Sequence, residues 1–398
     1  MTEGMLRMST RESCRLKTLG QVEAGQVSVR QAAAKMGMSY RQAKRVWKRY
    51  REGGDGAIVH GARGQAPNNQ IPLELKRQIL ERYREVYQGF GPTLACEKLV
   101  EEDGLRAISR ETLRLWLLQE KLWERHRRRG AYRKRRPPRG HFGELVQLDG
   151  SFHRWFGEEH NECCLMSMVD DATGTTLAIM NEQETTEAAM RLLWAWIERY
   201  GIPESLYCDG KNVYLLPKGE QPSLEEQLQG RLPKSAFGVA CEKLGIQIIT
   251  AHSPQAKGRV ERKHGVFQDR LVKELRLRGA TRIEEANLIL QAGFTEKLNR
   301  KFAHPALEPE DFHVALRPSQ HLGDILCFEE LRSVAQDWVV RHDNRFYQLL
   351  RGRQPLPRAK SKVTVRRRLD GTVQILHRGK ELPYEELDPV SKERGVAV

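Results

Sequence analysis

The spacing of hydrophobic and polar positions changes several times along the chain, and each change marks a predicted element. Within residues 16–50, apolar positions recur every three or four residues in three short runs, which predicts three helices. Residues 72–125 repeat this helical pattern. Between residues 141 and 300, short apolar runs and helical runs predict the order βββαβαβα. From residue 335 apolar and polar positions alternate, which predicts strands. The pattern therefore predicts helical modules, then an α/β region, then a β region.

One predicted helix, which begins at about Arg259, places a carboxylate among cations. Its apolar stripe consists of Val260, Phe267, Leu271 and Leu275. Glu261, His264 and Gln268 form a second stripe about 100° round the helix. Glu261 is either an ordinary ion-paired surface residue or a metal ligand beside a polyanion that the cations hold. The second interpretation requires two more carboxylates at strand ends.

Two aspartates occupy such positions. Asp149 lies in a predicted strand within GELVQLDGSFHRWF, and Asp209 follows the short apolar run SLYC. Asp170 and Asp171 lie in the turn after the second predicted strand and are not expected to be ligands.

Three motifs surround these carboxylates: LDGS around Asp149, CDGK around Asp209 and SPQAKGRVERKHG around Glu261. Together they resemble the signatures of the DDE integrase-core transposases of bacterial insertion sequences, in particular the ISNCY-like group. The resemblance extends from about Leu16 to Leu387. It implies a ribonuclease-H-like core in which the first and fourth strands are neighbours. In that topology the two aspartates meet, and the helix that carries Glu261 packs across them.

The resemblance also implies divalent-metal-dependent cleavage and strand transfer of DNA, without a covalent enzyme intermediate. Two Mg²⁺ or Mn²⁺ ions, roughly 3.5–4 Å apart, would activate the nucleophile and stabilise the leaving oxygen. Such hard ions prefer oxygen ligands. Asp149 would bridge both ions, while Asp209 would bind one and Glu261 the other. His264 would orient water or phosphate.

The charge distribution predicts where DNA binds. The net charge is +15, and residues 1–140 carry 31 Lys and Arg against 15 Asp and Glu. An excess confined to one third of the chain is typical of a nucleic-acid-binding region. Ser39 and Gln42 predict a capping box before a recognition helix whose basic residues face outward. The predicted DNA contacts are Tyr40, Arg41, Lys44, Arg45, Lys48, Arg110, Arg114, Arg127, Arg128, Arg135, Arg136, Lys257, Arg259 and Lys263.

The predicted architecture has three folded parts: all-α helix-turn-helix modules, a central α/β catalytic core and a small C-terminal β-barrel. The predicted boundaries are 10–55 for the first helix-turn-helix, 68–125 for a second helical module, 126–140 for a basic linker, 141–300 for the core, 301–334 for a helical connector and 335–387 for the barrel. Residues 212–234 are expected to be an insertion between the fourth strand and its helix, and removing them would restore the usual spacing between Asp209 and Glu261.

Several classes of function are not expected. The seven cysteines form no Cys-x-x-Cys pair and none lies at zinc spacing from a histidine, which is typical of a reduced, cytosolic protein. No apolar run approaches the roughly 18 residues of a membrane span, and the chain has no Walker A motif. We expect a cytoplasmic, nucleoid-associated bacterial protein with no membrane contact and no small-molecule cofactor. Its partners would be double-stranded DNA, both element ends and target, and further copies of itself, as a homodimer or a larger synaptic oligomer.

Two alternatives from other classes remain open at this point. A non-catalytic DNA-binding regulator could use the core as an assembly platform. A nuclease of ribonuclease-H fold could cut DNA without joining it. The presence of all three acids favours an enzyme over the regulator, and the helical N-terminal modules with a C-terminal β region favour a transposase over the nuclease.

Overall fold

A computed structural model describes residues 8–61, 63, 70–125, 136–209, 234–250, 258–352 and 355–387. The chain divides into two compact units. The first comprises Met1–Gln88 and Lys98–Ile108, and the second comprises Gly89–Glu97 and Ser109–Val398. Among the described residues, no helix is long and apolar enough to cross a membrane.

Six helices precede the first strand in the described part of the chain. They are α1 (Thr10–Glu23), α2 (Val29–Lys35), α3 (Tyr40–Gly53), α4 (Leu73–Glu85), α5 (Pro92–Glu101) and α6 (Arg110–Gln119). A 3₁₀ turn, Asp55–Ile58, follows α3.

The first three helices start at capping boxes, as the sequence predicts for α3. Ser9, Ser28 and Ser39 each accept a hydrogen bond from the backbone N–H three residues ahead. The side chain of that residue in turn accepts a hydrogen bond from the backbone N–H of the serine. Each box satisfies donors that the first helical turn would otherwise leave without partners. The small core between these helices contains Leu19, Ala32, Ala33, Ala43 and Ile58. Caps therefore fix where α2 and α3 begin, which sets the helix-turn-helix geometry.

The second unit contains a five-stranded sheet with helices on both faces. Its strands are β1 (Val146–His153), β2 (Cys163–Asp170), β3 (Thr176–Asn181), β4 (Ser205–Cys208) and β5 (Gln247–Thr250), in the order β3-β2-β1-β4-β5. Its helices are α7 (Thr186–Tyr200), α8 (Ala236–Leu244), α9 (Gly258–Arg278), α10 (Ile283–Ile289) and α11 (Thr295–Phe302). A π-helical turn, Leu290–Phe294, joins the last two. The element order βββαβαβα is as predicted, and β1 and β4 are neighbours.

Alternation along β1 and β2 gives the sheet two apolar faces. Leu148 and Met166 contribute to a core that also contains Trp196 of α7 and Phe237 of α8. On the other face, Leu165 belongs to a core built with residues of α9, namely Phe267, Leu271 and Leu275. These three side chains and Val260 are fully buried, so the predicted apolar stripe of α9 is its packing face.

The C-terminal strands do not close into a barrel within the described residues. The strands are β6 (Cys327–Ser333), β7 (Val339–His342), β8 (Arg345–Leu349), β9 (Lys362–Arg368), β10 (Val373–His377), β11 (Lys380–Leu382) and β12 (Tyr384–Leu387), preceded by the short helix α12 (Leu322–Ile325). They form a four-stranded sheet, β11-β10-β9-β6, and a three-stranded sheet, β12-β8-β7, which share one core. The prediction of strands is confirmed, whereas the closed barrel is not. Alternation identifies strands but does not determine whether the edge strands pair with one another.

Candidate metal and DNA-binding sites

Strand pairing brings the two predicted aspartates together. β1 and β4 are parallel, with Val146 opposite Leu206 and Gln147 opposite Tyr207. Continuing this register by two residues sets Asp149 beside Asp209. Both carboxylates are half-buried. Residues that are far apart in sequence therefore meet where β4 ends, beside the middle of the central strand β1.

A third carboxylate, which the sequence does not predict, completes this cluster. Carboxylate oxygens of Asp149, Glu184 and Asp209 lie within 4.8 Å of one another. Glu184 is half-buried in the connection between β3 and α7, directly before the residue that caps α7. That cap, Thr185, accepts a hydrogen bond of 3.1 Å from the N–H of Ala188. Nothing in the sequence separates Glu184 from Glu182 beside it, so the pattern alone could not select it.

The space for Glu184 comes from a glycine on β1. A Cβ atom at Gly150 would lie 2.9 Å from Oε2 of Glu184 and 2.8 Å from Sγ of Cys164. Gly150 does not have a positive φ, so the backbone conformation itself does not require glycine. What requires it is the close approach of neighbouring side chains.

The cluster fits a hard divalent cation. Its three ligands are carboxylates, the type that Mg²⁺ and Mn²⁺ prefer. Two oxygens on opposite sides of a Mg²⁺ ion are about 4.2 Å apart. The carboxylate oxygens of the cluster lie up to 4.8 Å apart, so side-chain movements of less than about 1 Å would bring them to the distances that a bound ion requires. In the absence of a cation, three carboxylates this close repel one another.

Helix α9 lies along the face of β1 that carries Asp149. The N–H of Val260 donates to Oε1 of Gln147 over 3.2 Å, and Nε2 of Gln268 donates to Oγ of Ser151 over 3.2 Å. His264 lies midway between these contacts and is buried, which places it level with Asp149. The prediction that this helix packs across the aspartates agrees with these contacts.

Glu261 itself is exposed and is not part of the carboxylate cluster. It follows Val260 directly, and successive side chains of a helix point about 100° apart. Val260 uses the face toward β1, so Glu261 is turned aside from it. The structure thus brings together two of the three predicted ligands and adds Glu184.

Two of the predicted phosphate contacts are engaged with a buried aspartate. Arg136 donates to both oxygens of Asp171 at 2.9 and 2.6 Å, and Arg259 lies 3.3 Å from the same carboxylate. Burial lowers the pKa of Arg259, and the nearby Asp171 acts in the opposite direction. Gln147 also donates to Asp171, at 2.7 Å. Asp171 therefore connects β1, the start of α9 and the segment that precedes the core.

Lys263 lies inside the domain rather than on its surface. Its side chain is 6% exposed, and its Nζ has no hydrogen-bond partner among the described residues. The centroid of the Phe302 ring lies 5.9 Å from Nζ. Burial lowers the pKa of Lys263 from 10.5 to about 8. This cation is not displayed to solvent in the way the sequence suggests.

The surface of α3 agrees with the prediction of a recognition helix. The outward residues Tyr40, Arg41, Lys44, Arg45 and Lys48 are all exposed. Nζ of Lys44 lies 4.9 Å from the ring centroid of Tyr40, and the guanidinium of Arg30 lies 5.5 Å from it. An aromatic ring with cations on a basic helix can contact both bases and phosphates.

The remaining predicted contacts differ in their surroundings. Arg110 is exposed, whereas Arg114 forms two hydrogen bonds to Glu111 at 2.8 and 2.6 Å. Four predicted contacts lie outside the described residues: Arg127, Arg128, Arg135 and Lys257. The same holds for nearly all of the predicted insertion 212–234.

Comparison with known proteins agrees with this arrangement. A helix-turn-helix domain family matches residues 15–66. "Putative transposase y4bF" of Sinorhizobium fredii (strain NBRC 101917 / NGR234) is 34% identical over 387 residues, which cover 97% of this chain and 83% of that protein. "Transposase for insertion sequence IS1202" of Streptococcus pneumoniae is 29% identical over 408 residues, covering 92% of this chain and 85% of the relative.

Solved retroviral integrase structures are also similar, at low scores. The catalytic core of HTLV-2 integrase in complex with magnesium has a TM-score of 0.28 and 20% identity over 39% of this chain and 87% of that one. A chain of the simian T-cell lymphotropic virus intasome, in complex with PP2A regulatory subunit B56 gamma, has a TM-score of 0.30 and 16% identity. The match covers 78% of this chain and 99% of that one. Scores this low add nothing to the strand order described above. The two transposase relatives, the first 34% identical over 97% of this chain, show that the chain belongs to the insertion-sequence transposases.

Proposed function

We propose that this transposase binds the terminal inverted repeats of its element and cuts and joins DNA at the site around Asp149 and Asp209. The observation that carries the proposal is the meeting of these two carboxylates, from separate segments, within 4.8 Å of a third. The parallel pairing of β1 with β4 holds the strand that contains Asp149 beside the strand that precedes Asp209. Preorganised acids at one point are what a metal-dependent phosphoryl transfer requires.

The ligand roles follow the family pattern. Asp149 would bridge two ions, while Asp209 and Glu261 would each hold one. When bound, such ions supply a nucleophile at neutral pH and stabilise the leaving oxygen. Glu261 is exposed on the first turn of α9, so this role requires it to turn toward the two aspartates when metal and DNA bind. His264, level with Asp149 and buried, would orient water or phosphate.

DNA would be held by parts of the chain outside this site. The exposed basic face of α3 would lie in the major groove of the element end. Two ends must be held together for strand transfer, so we propose a homodimer or a larger synaptic complex.

The test is strand transfer on labelled end DNA with full-length protein. Asp149→Asn, Asp209→Asn and Glu261→Gln are each expected to lower the rate by about 100-fold or more, because each removes a metal ligand. Binding to end duplex should remain unchanged. Asp269→Asn is the matched control, since Asp269 is an exposed acid of the same helix as Glu261, ion-paired with Lys273.

Near-normal transfer by Asp149→Asn and Asp209→Asn would overturn the proposal. Near-normal transfer by Glu261→Gln alone would remove only that residue from the ligand set.

A further inference from the structure

We propose that Glu184 is a metal ligand of this site, and that Glu184, Asp149 and Asp209 together bind one divalent cation in the DNA-free protein without Glu261. The inference rests on the proposed function, since it concerns the same site. It adds a residue that the sequence motifs do not contain, and it assigns an order to binding, in which an ion is held before DNA arrives.

The first support is the position of the carboxylate. Its oxygen lies within 4.8 Å of oxygens from both aspartates, whereas Glu261 on α9 is exposed and is not in the cluster. Three carboxylates supply at least three of the six positions around a Mg²⁺ ion, and water fills the others, as is usual for this ion.

The second support is independent of the acids and concerns the strand beside them. Cδ and Oε2 of Glu184 lie 3.0 and 2.9 Å from where a Cβ of residue 150 would be. Real Cβ atoms essentially never lie closer than 3.0 Å to another heavy atom, so a side chain at position 150 would require the carboxylate end of Glu184 and the Sγ of Cys164, 2.8 Å away, to shift. The LDGS motif thus supplies a ligand with Asp149 and, through Gly150, the space for another.

The third support is the way the main chain holds Glu184. Residue 184 directly precedes Thr185, the cap of α7, whose Oγ1 accepts a hydrogen bond from the N–H of Ala188 in the first turn. Further along the helix, Trp196 is fully buried in the core between α7 and the sheet. Glu184 is therefore anchored to an element separate from α9, and its position does not depend on where Glu261 points.

The fourth support is the negative charge of the three neighbouring carboxylates. Like charges a few ångströms apart in a half-buried site repel one another, and a bound divalent cation reduces that repulsion. A divalent cation neutralises most of this charge. The cluster is thus expected to take up an ion in the absence of DNA.

The experiment measures binding of Mn²⁺ to full-length, DNA-free protein by calorimetry and by electron paramagnetic resonance. Wild type should bind one ion per chain at this site. Glu184→Gln should weaken its binding by at least about tenfold, whereas Glu261→Gln should leave it unchanged. Glu182→Gln, an exposed acid two residues away, is the matched control. Thermal melting in chelator shows whether each variant folds.

A second variant tests the space argument without removing any acid. Gly150→Ala should weaken Mn²⁺ binding in the same direction as Glu184→Gln, because its methyl group would push Glu184 away. Strand transfer by Glu184→Gln should need a higher Mg²⁺ concentration for its half-maximal rate and recover when Mg²⁺ is in excess.

The outcomes separate the two proposals. The role of Glu184 would be overturned if Glu184→Gln bound Mn²⁺ with wild-type affinity. If Asp149→Asn and Asp209→Asn lost Mn²⁺ binding in the same experiment, the proposed function would remain in place. Equal weakening by Glu261→Gln and Glu184→Gln would overturn the independence from Glu261. Unchanged binding in both aspartate variants would overturn the proposed function as well.

Discussion

Lys263 carries its ammonium group into the interior of the domain, and this burial lowers the stability of the folded protein. Its side chain is 6% exposed and Nζ has no hydrogen-bond partner among the described residues. Burial of an ammonium group disfavours the charged form, which is why the pKa is lowered to about 8. Since Lys263 lies two residues after Glu261, this cost falls close to the proposed site, where proteins commonly exchange stability for function.

We therefore predict that Lys263→Met raises the melting temperature at pH 7. The folded-state pKa of about 8 lies below the value of 10.5 for an exposed lysine, so between these values the unfolded chain binds more protons and stability rises with pH. Below pH 8 the full penalty is present. The gain from Lys263→Met should accordingly be larger at pH 7 than at pH 10, as measured by thermal melting at both values.

Lys273→Met is the control for this prediction, because Lys273 lies on the same helix and is ion-paired with Asp269. It should show no gain at pH 7. A lower melting temperature for Lys263→Met at pH 7 would mean that the ammonium group has a compensating partner.

At the scale of elements, a single buried amide connects β1 to the start of α9. Gln147 is fully buried, donates to Asp171 at 2.7 Å and accepts from the N–H of Val260 at 3.2 Å. The first N–H groups of a helix have no partner within it. Gln147 supplies one such partner, and through Asp171 it also touches the ion pair of Arg259. This connection contributes to the position of α9 over Asp149, together with the bond from Gln268 to Ser151 and the apolar face of the helix.

Replacing Gln147 with leucine should therefore destabilise the core by about 2–4 kcal/mol, since a buried N–H loses its acceptor and a buried carboxylate loses one donor. Urea unfolding of the full chain measures the change. Gln268→Leu, which removes only a half-buried bond to Ser151 further along α9, should lower stability by less than about 1.5 kcal/mol. Equal effects of the two substitutions would show that Gln147 has no special role.

Elements were more predictable than the contacts between them. The convergence of Asp149 and Asp209 followed from the predicted strand order, because the parallel pairing of β1 with β4 puts the residue after β4 beside Asp149 in β1. Glu184 could not be found in this way, since its place depends on a glycine of another strand. Arg136 and Arg259 were expected to face phosphates, but periodicity does not show that a buried Asp171 lies within reach of both. Similarly, alternation predicted the C-terminal strands without predicting their two separate sheets.

At the scale of the whole molecule, the residues proposed for DNA recognition and those proposed for metal binding lie in different parts of the chain. The exposed cations of α3 belong to the first unit, while the carboxylate cluster belongs to the second. Phosphate contacts contribute to affinity through release of counterions, so they depend strongly on salt. Metal binding at half-buried carboxylates depends on salt far less. Substitutions should accordingly separate the two functions.

We predict that Arg41→Ala combined with Arg45→Ala weakens binding to end DNA and lowers the salt dependence of the affinity, by about 0.9 in the logarithmic slope for each phosphate that is no longer neutralised. Mn²⁺ binding should not change. The measurement is a titration of labelled duplex at several salt concentrations. Lys17→Ala, which removes an exposed cation of α1, is the control; an equal weakening in this variant would mean that binding reflects overall charge rather than α3.

The place of β1 in the sheet has a kinetic consequence. The edge strands β3 and β5 can fray toward solvent, but β1 lies two strands from either edge. Amide protons in such a strand exchange with solvent mainly when the whole sheet opens, whereas those at the edges exchange through local opening. The backbone of Asp149 is therefore among the last to lose its order. When the edge strands re-form after a local opening, the backbone of Asp149 is therefore already paired within the sheet.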